Sequence, residues 1–259
     1  MDWLLSLPVP ALTLVVLAAV YGATAMIYLL VTRLAVGERL RVFKGVSPGM
    51  LPPLSVVFAL LVGFLAAQVW SDADRASTAV NREAGALRAA VLLADQFPGE
   101  QATHLRDLVR QHIDIAVNQE WRAMARRNAT LAIVPRALAS GLQYSLGLEP
   151  HTAGQTIAQR ELVTAFQTAL DARRQRIVLS GSSVNTVKWV SLLIQAGLML
   201  FAIALVHSDN PATNRLIMGI FATGVAAAIV LIAAHSRPFS GPIAVQPTLL
   251  LQVIPEAGP

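Results

Sequence analysis

The sequence predicts an all-α integral membrane protein with four transmembrane helices and a helical bundle inserted between the second and third. Two observations carry that prediction. Hydrophobic residues make up 55% of the 259 and charged residues only 14%, well outside the usual soluble composition. The apolar residues are also clustered. Residues 3–32, 46–71, 189–206 and 216–234 contain no Asp, Glu, Lys, Arg or His. Each run has about 18 residues or more, the length a tilted helix needs to cross ~30 Å of hydrocarbon. In lipid only helices and closed barrels satisfy their backbone groups, and continuous apolar runs lack a barrel's alternation. The chain divides accordingly into 1–70 with spans one and two, 71–187 as a water-exposed bundle, 188–235 with spans three and four, and a proline-rich tail, 236–259.

Span one falls within residues 9–32. No basic residue precedes its apolar run, so the small-residue triplet Ala23-Thr24-Ala25 is read inside a retained helix and not as a cleavage site. Ala18, Gly22 and Ala25 lie near one face, either as a close-contact stripe for another helix or as generic small residues. A short basic loop follows, with Arg33, Arg39, Arg41 and Lys44 against Glu38. Such a loop favours the cytoplasmic side, which would put both termini and the bundle outside the cytoplasm. Pro48, Pro52 and Pro53 then start span two, where a first-turn proline costs little.

The stretch 54–93 organises the chain. Its first half is long and apolar; its second half keeps a helical period but is charged on one side. It reads as one helix, or two in line, running from lipid into water. At 100° per residue Pro53, Val57, Leu61, Phe64, Gln68, Asp72 and Arg75 share one stripe, apolar at one end and polar at the other. That stripe either lines a pore, with Val57, Leu61, Phe64 and Gln68 in the wall, or packs against the other spans. A neighbouring stripe of Leu54, Phe58, Leu65 and Val69 competes for the lining role. Asp72, Asp74 and Arg75 would stand at the mouth, and their mixed charge gives no ion preference.

The bundle contains no credible strand. Its first helix stops at Phe97-Pro98-Gly99. A second covers about 100–127, with Leu105, Leu108, Val109, Ile113, Ile115 and Ala116 as apolar surface. A weaker element at 129–146 is interrupted at Pro135. A last long helix covers about 152–178, with Ile157, Leu162, Ala165, Phe166 and Leu170 as buried candidates. Spans three (187–206) and four (216–234) are joined by a loop short enough to force an antiparallel hairpin. Gln195 in span three either bonds to another helix or faces a water path. The tail folds back along the bundle.

The run AQVWSDADRASTAVNREAGAL (67–87), the pair Glu120-Trp121, the cluster Arg173-Arg174-Gln175-Arg176 and the tail motif Arg237-Pro238-Phe239-Ser240-Gly241 occur in this order. As a set they resemble the bacterial bestrophin-like family, a domain of unknown function related in layout to the bestrophin anion channels. The resemblance covers the chain from span two to the tail. It implies four spans with a helical insert, a pentameric assembly, and a pore lined by span two with bulky apolar neck residues. It also places the bundle on the cytoplasmic side, opposite to the basic-loop reading. The sequence lacks an acidic calcium-clasp run, and its neck is represented only by Val57, Leu61 and Phe64.

Glu83, Glu120, Arg173, Arg174 and Arg176 lie on the long bundle helices. They are candidates for a buried carboxylate–guanidinium network that fixes helix register, with Glu83 and Arg174 as a direct pair; a solvated face and an ion pathway are the alternatives. His104 and His112 are eight residues apart, which is not the i, i+3 or i+4 spacing of helical metal ligands. No Cys is present, and no metal or cofactor is expected. The spans hold no ionisable residue of the kind an intramembrane enzyme places there, and no catalytic motif appears, so no enzyme is expected. The net charge of +5 comes from arginines interleaved with acids or flanking spans, a pattern that calls for no nucleic acid. The expected function is a homo-oligomeric, multi-pass ion channel of the bacterial inner membrane, with the bilayer and inorganic ions as partners. The alternative is a non-conducting scaffold or sensor whose helical stalk binds a partner protein.

Overall fold

The computed structural model describes residues 7–34, 46–241 and 243–253. The basic loop carrying Glu38, Arg39, Arg41 and Lys44 and the last six residues lie outside the described residues. Every regular element among the described residues is helical. In chain order these are α1 (Val9–Leu34), a 3₁₀ turn (Pro48–Met50), α2 (Leu51–Ala94), α3 (Gly99–Ile115), a π-turn (Ala116–Glu120), α4 (Trp121–Ala125), α5 (Arg136–Leu146), α6 (Ala153–Ser180), α7 (Thr186–Val206), α8 (Pro211–His235) and the short α9 (Thr248–Leu251). Four helices are long and apolar enough to cross a membrane: α1, α2 with its leading 3₁₀ turn, α7 and α8.

Local chemistry sets the helix ends. Side-chain oxygens of Thr152, Asn185 and Asn210 cap α6, α7 and α8, accepting from the backbone N–H groups of Gln155, Lys188 and Thr213; each cap satisfies one orphan donor. Pro211 follows its cap as the first residue of α8, where its missing N–H costs nothing. Pro135 keeps the chain before it out of the helical region. The element expected over 129–146 therefore starts only at Arg136. Helix α4 ends in a Schellman motif: Asn128 N donates to Ala123 O at 2.8 Å and Arg127 N to Met124 O at 3.0 Å. This places Arg127 in the left-handed region, at φ 59°.

The chain forms two compact units, 1–71 with 183–237, and 72–182 with 238–259. Helix α2 contributes to both. In the first unit α1, α7, α8 and the apolar half of α2 enclose Leu12, Val16, Leu65, Val69, Trp189, Leu192, Ala222, Val225 and Ile232. A smaller cluster joins Val31, Met199, Leu200, Ile203 and Met218. Gln195 Nε2 donates to Leu54 O at 3.2 Å, so this polar side chain ties two apolar helices together.

The second unit packs the charged half of α2 with α3 to α6 around Leu87, Leu105, Val109, Leu138, Leu162 and Phe166. Ile157, an expected core residue, is 63% exposed instead. It stands one residue, a turn of about 100°, before Ala158, which begins the buried face that continues through Leu162 and Phe166. The tail belongs to this unit: Phe239, Leu250 and Val253 join its core. Val245 N donates to Pro238 O at 2.8 Å to close the tail loop. Gly241 adopts φ 92° within it, a conformation glycine reaches without penalty.

Gly141 of α5 lies directly against the Phe166 ring of α6. A Cβ there would sit 2.3 Å from Cε1 and 2.6 Å from Cζ of the Phe166 ring, and Phe166 is fully buried. Gly141→Ala is expected to destabilise the protein by about 1–3 kcal/mol despite alanine's better helix propensity. Thermal unfolding in detergent checks this; an unchanged or raised midpoint would show that the ring has room to move.

Candidate functional site

Two groups of polar or outward-facing residues stand out, one in each unit. The first is a buried network on α2, α3, the π-turn and α6. Arg173 and Arg176, three residues apart on α6, share a helix face. Arg176 donates from Nε to Glu83 Oε2 at 2.7 Å and from Nη2 to Glu83 Oε1 at 3.0 Å, a bidentate fork on one carboxylate. Its Nη2 also lies 2.8 Å from Glu120 Oε2. Arg173 donates from Nε to Glu120 Oε1 at 2.7 Å. His112 Nε2 sits 2.8 Å from Glu83 Oε1; an ionised carboxylate only accepts, so the imidazole donates. The Arg176 guanidinium stacks 4.8 Å from the Trp121 ring centroid. Glu83 and Arg176 are both fully buried.

The π-turn makes this arrangement possible. Inward-facing residues on α3 recur at helical spacing through Leu105, Val109, His112, Ile113 and Ala116, and then step by five to Trp121. A regular α-helix would rotate Trp121 by about 500°, or 140° net, away from Ala116. The extra residue of the π-turn absorbs part of that rotation and brings Glu120 and Trp121 round to Arg176.

Burial is the largest influence on Glu83 and raises its pKa. The positive charge of Arg176 and the hydrogen bonds from His112 and Arg176 together outweigh it, and the carboxyl stays below its ordinary range. For Arg176 burial likewise opposes the charged form, but Glu83 and then Glu120 restore it, and its pKa is raised. A depressed carboxylate pKa contributes stability above the unfolded-state value and loses it as pH falls through the folded value. Thermal stability is therefore expected to hold through neutral and mildly acid pH and to drop below the ordinary carboxylate pKa of about 4.3. Glu83→Gln should be less stable at neutral pH and lose less on acidification. Unfolding midpoints measured from pH 7 to 3 check this, and parallel profiles would contradict it.

Arg174 is a correction to the sequence reading. It does not pair with Glu83 and is exposed. One residue is a 100° turn, so it points away from the face that Arg173 and Arg176 share. It lies with Arg75, Asp171 and Gln175 along a surface groove. The sequence sets His112 aside as a metal ligand in favour of solvent or bundle packing and does not pair it with Glu83, and it offers Trp121 only as part of a motif. His112 shares the regular inward spacing of Leu105, Val109 and Ala116, which was its signal; Trp121 breaks that spacing with a step of five.

The second group is the apolar half of α2. Val57 and Phe64 are 54% and 71% exposed, and Leu61 and Gln68 are half-buried. The competing stripe turns inward: Leu65 and Val69 are buried, Phe58 packs 5.5 Å from the Phe221 ring, and Leu54 accepts the Gln195 bond. Gln68 Oε1 accepts from Lys188 Nζ, and among the described residues no carboxylate pairs with that ammonium. Farther along α2, Asp72 is half-buried while Asp74 and Arg75 are exposed.

Comparison with known proteins places this architecture. A family model described as the bestrophin-like domain matches residues 18–250. A crystal structure of a bacterial bestrophin homolog from Klebsiella pneumoniae, carrying a point mutation, superposes with a TM-score of 0.71 at 12% identity. The superposition covers 93% of this chain and 97% of that one, a likeness of fold. No curated protein matches the sequence. The family match runs from within α1 through the other three apolar helices, the inserted bundle and most of the tail, and on that ground the chain belongs to the bestrophin-like family.

Proposed function

We propose that this protein is a homo-oligomeric ion channel of the bacterial cell membrane, crossing it four times, with the apolar half of α2 lining the conduction path. One observation carries the reading. The most apolar window of α2 is 11% buried within the chain, against 22% for α1 and 39% each for α7 and α8. Its outward stripe begins with Val57 and Phe64 and ends at Gln68, held by the Lys188 ammonium. A bulky apolar stripe that becomes polar at one end suits an axial path with a hydrophobic constriction, gated by dewetting. Asp72, Asp74 and Arg75 then stand at the wider mouth and inorganic ions are the permeant species. The bestrophin resemblance adds a pentamer as the expected ring.

The buried network has a structural role in this account. It locks α6, and the π-turn after α3, to the charged half of α2, so the helix that forms the wall continues into a bundle of fixed register. The rival reading is a non-conducting scaffold or sensor whose bundle binds a partner protein. Imaging of the purified protein separates the two. A closed ring with a continuous central path, and current in reconstituted bilayers, supports the channel; a monomer or dimer without an axial path supports the scaffold. The side on which the bundle lies follows from a topology reporter fused at Gly99. The bestrophin-like layout predicts a cytoplasmic signal, and a periplasmic one would contradict it.

A further inference from the structure

In the first unit, a groove of about 220 Å³ runs between α1 and α8, with Tyr21, Thr24, Tyr28, Arg215, Met218 and Gly219 in its walls. At one end Tyr21 OH lies 2.8 Å from Thr223 Oγ1 and closes it. At the other stands Arg215, whose Nε donates to Pro211 O at 3.1 Å. Its terminal nitrogens have no partner among the described residues, and neither does the Tyr28 hydroxyl. No acid occupies the first turn of α8; Asp209 stands just before its cap, and the positive end of the helix dipole adds to the Arg215 charge. Arg33, in the last turn of α1, brings a second cation past Tyr28 on the same helix. The floor of the groove is apolar or small. A Cβ built on Gly219 meets nothing within 4 Å, so the space beside it is open.

We infer that this groove is a binding site for an anionic phospholipid, with the headgroup phosphate on Arg215 and Tyr28 and an acyl chain along Met218 and Gly219. Charge complementarity chooses the headgroup, since cations without a carboxylate partner among the described residues, at the end of an apolar helix, attract anionic lipid. The apolar floor, on two helices that cross the bilayer in the reading above, chooses an amphiphile over free phosphate. The inference rests on that membrane reading but does not depend on conduction.

The test uses the delipidated full-length protein in neutral detergent, followed by thermal unfolding. Phosphatidylglycerol should raise the midpoint by about 5 °C at saturating concentration, and phosphatidylcholine by clearly less. Arg215→Gln should abolish the difference between the two lipids. A Cβ at Gly219 meets no atom within 4 Å, so Gly219→Leu extends into the open groove and should lose the response while its lipid-free midpoint stays near wild type. Equal shifts from both lipids, a full response in Arg215→Gln, or the same shift from inorganic phosphate alone would each overturn the site. Flotation with vesicles is the separate control. Protein that fails to float removes the membrane reading and this site with it; protein that floats without lipid preference removes the site alone.

Discussion

Arg176→Met is expected to cost roughly 3–5 kcal/mol, the usual penalty for deleting one partner of a buried ion pair. It lowers the unfolding midpoint by about 10 °C. Methionine fills much of the volume, so the loss comes from two stranded carboxylates. Glu83 is fully buried and would keep only His112, and Glu120 would keep only Arg173. Glu83→Gln should destabilise by a comparable mechanism, and the double variant should lose about 1–3 kcal/mol less than the sum. Arg174→Met, on the exposed neighbouring position, should change stability by no more than about 0.5 kcal/mol. Unfolding midpoints for the four variants decide the matter. Additive losses, or an Arg174 variant as damaging as the Arg176 one, would refute the network as drawn.

Phe64→Ala is expected to raise single-channel current several-fold in reconstituted bilayers. The ring is 71% exposed within the chain. In a ring of copies with α2 on the axis it would narrow the path, and removing it lowers the cost of keeping the constriction wet. A barrier reduced by 1 kcal/mol corresponds to about a fivefold rate. Phe58→Ala, about 120° round the same helix, makes the contrast. Its ring packs on Phe221, so that variant should lose stability, by somewhat less than the roughly 3–5 kcal/mol of a fully buried Phe→Ala, with little change in current. Bilayer recordings paired with unfolding curves separate the two effects. Equal currents from wild type and Phe64→Ala would remove Phe64 from the wall.

The four apolar helices were legible because ~20-residue runs without charge have few physical alternatives, and α7 and α8 start where Asn185, Asn210 and Pro211 dictate. The break at Phe97-Pro98-Gly99 was legible for the same reason. The buried network was legible in part. Glu83, Glu120, Arg173 and Arg176 are charges on long helices and announce themselves, but which arginine faces inward depends on phase. Choosing between Arg174 and Arg176 requires knowing the orientation of α6 to within 100°, which adjacent basic residues do not specify. The π-turn was hidden because its one-residue register shift follows from what Glu120 and Trp121 contact, not from local propensity. On α2 the two stripes stand about 80° apart, and periodicity alone left both open. Packing against α7 and α8 turned Leu65 and Val69 inward and left Val57 and Phe64 facing out.

The outward stripe of α2 as the wall of a water-filled path is the claim on which the rest depends. The chain has no cysteine, so a thiol placed at one position reports on that position alone. Phe64→Cys and Leu65→Cys channels, recorded while a charged, water-soluble thiol reagent is applied, compare adjacent residues about 100° apart on α2, one exposed and one buried. The account predicts rapid modification at residue 64 with a step change in current, and no effect at the buried residue 65. Current through both variants that the reagent leaves untouched, or modification at residue 65 but not at 64, would contradict it.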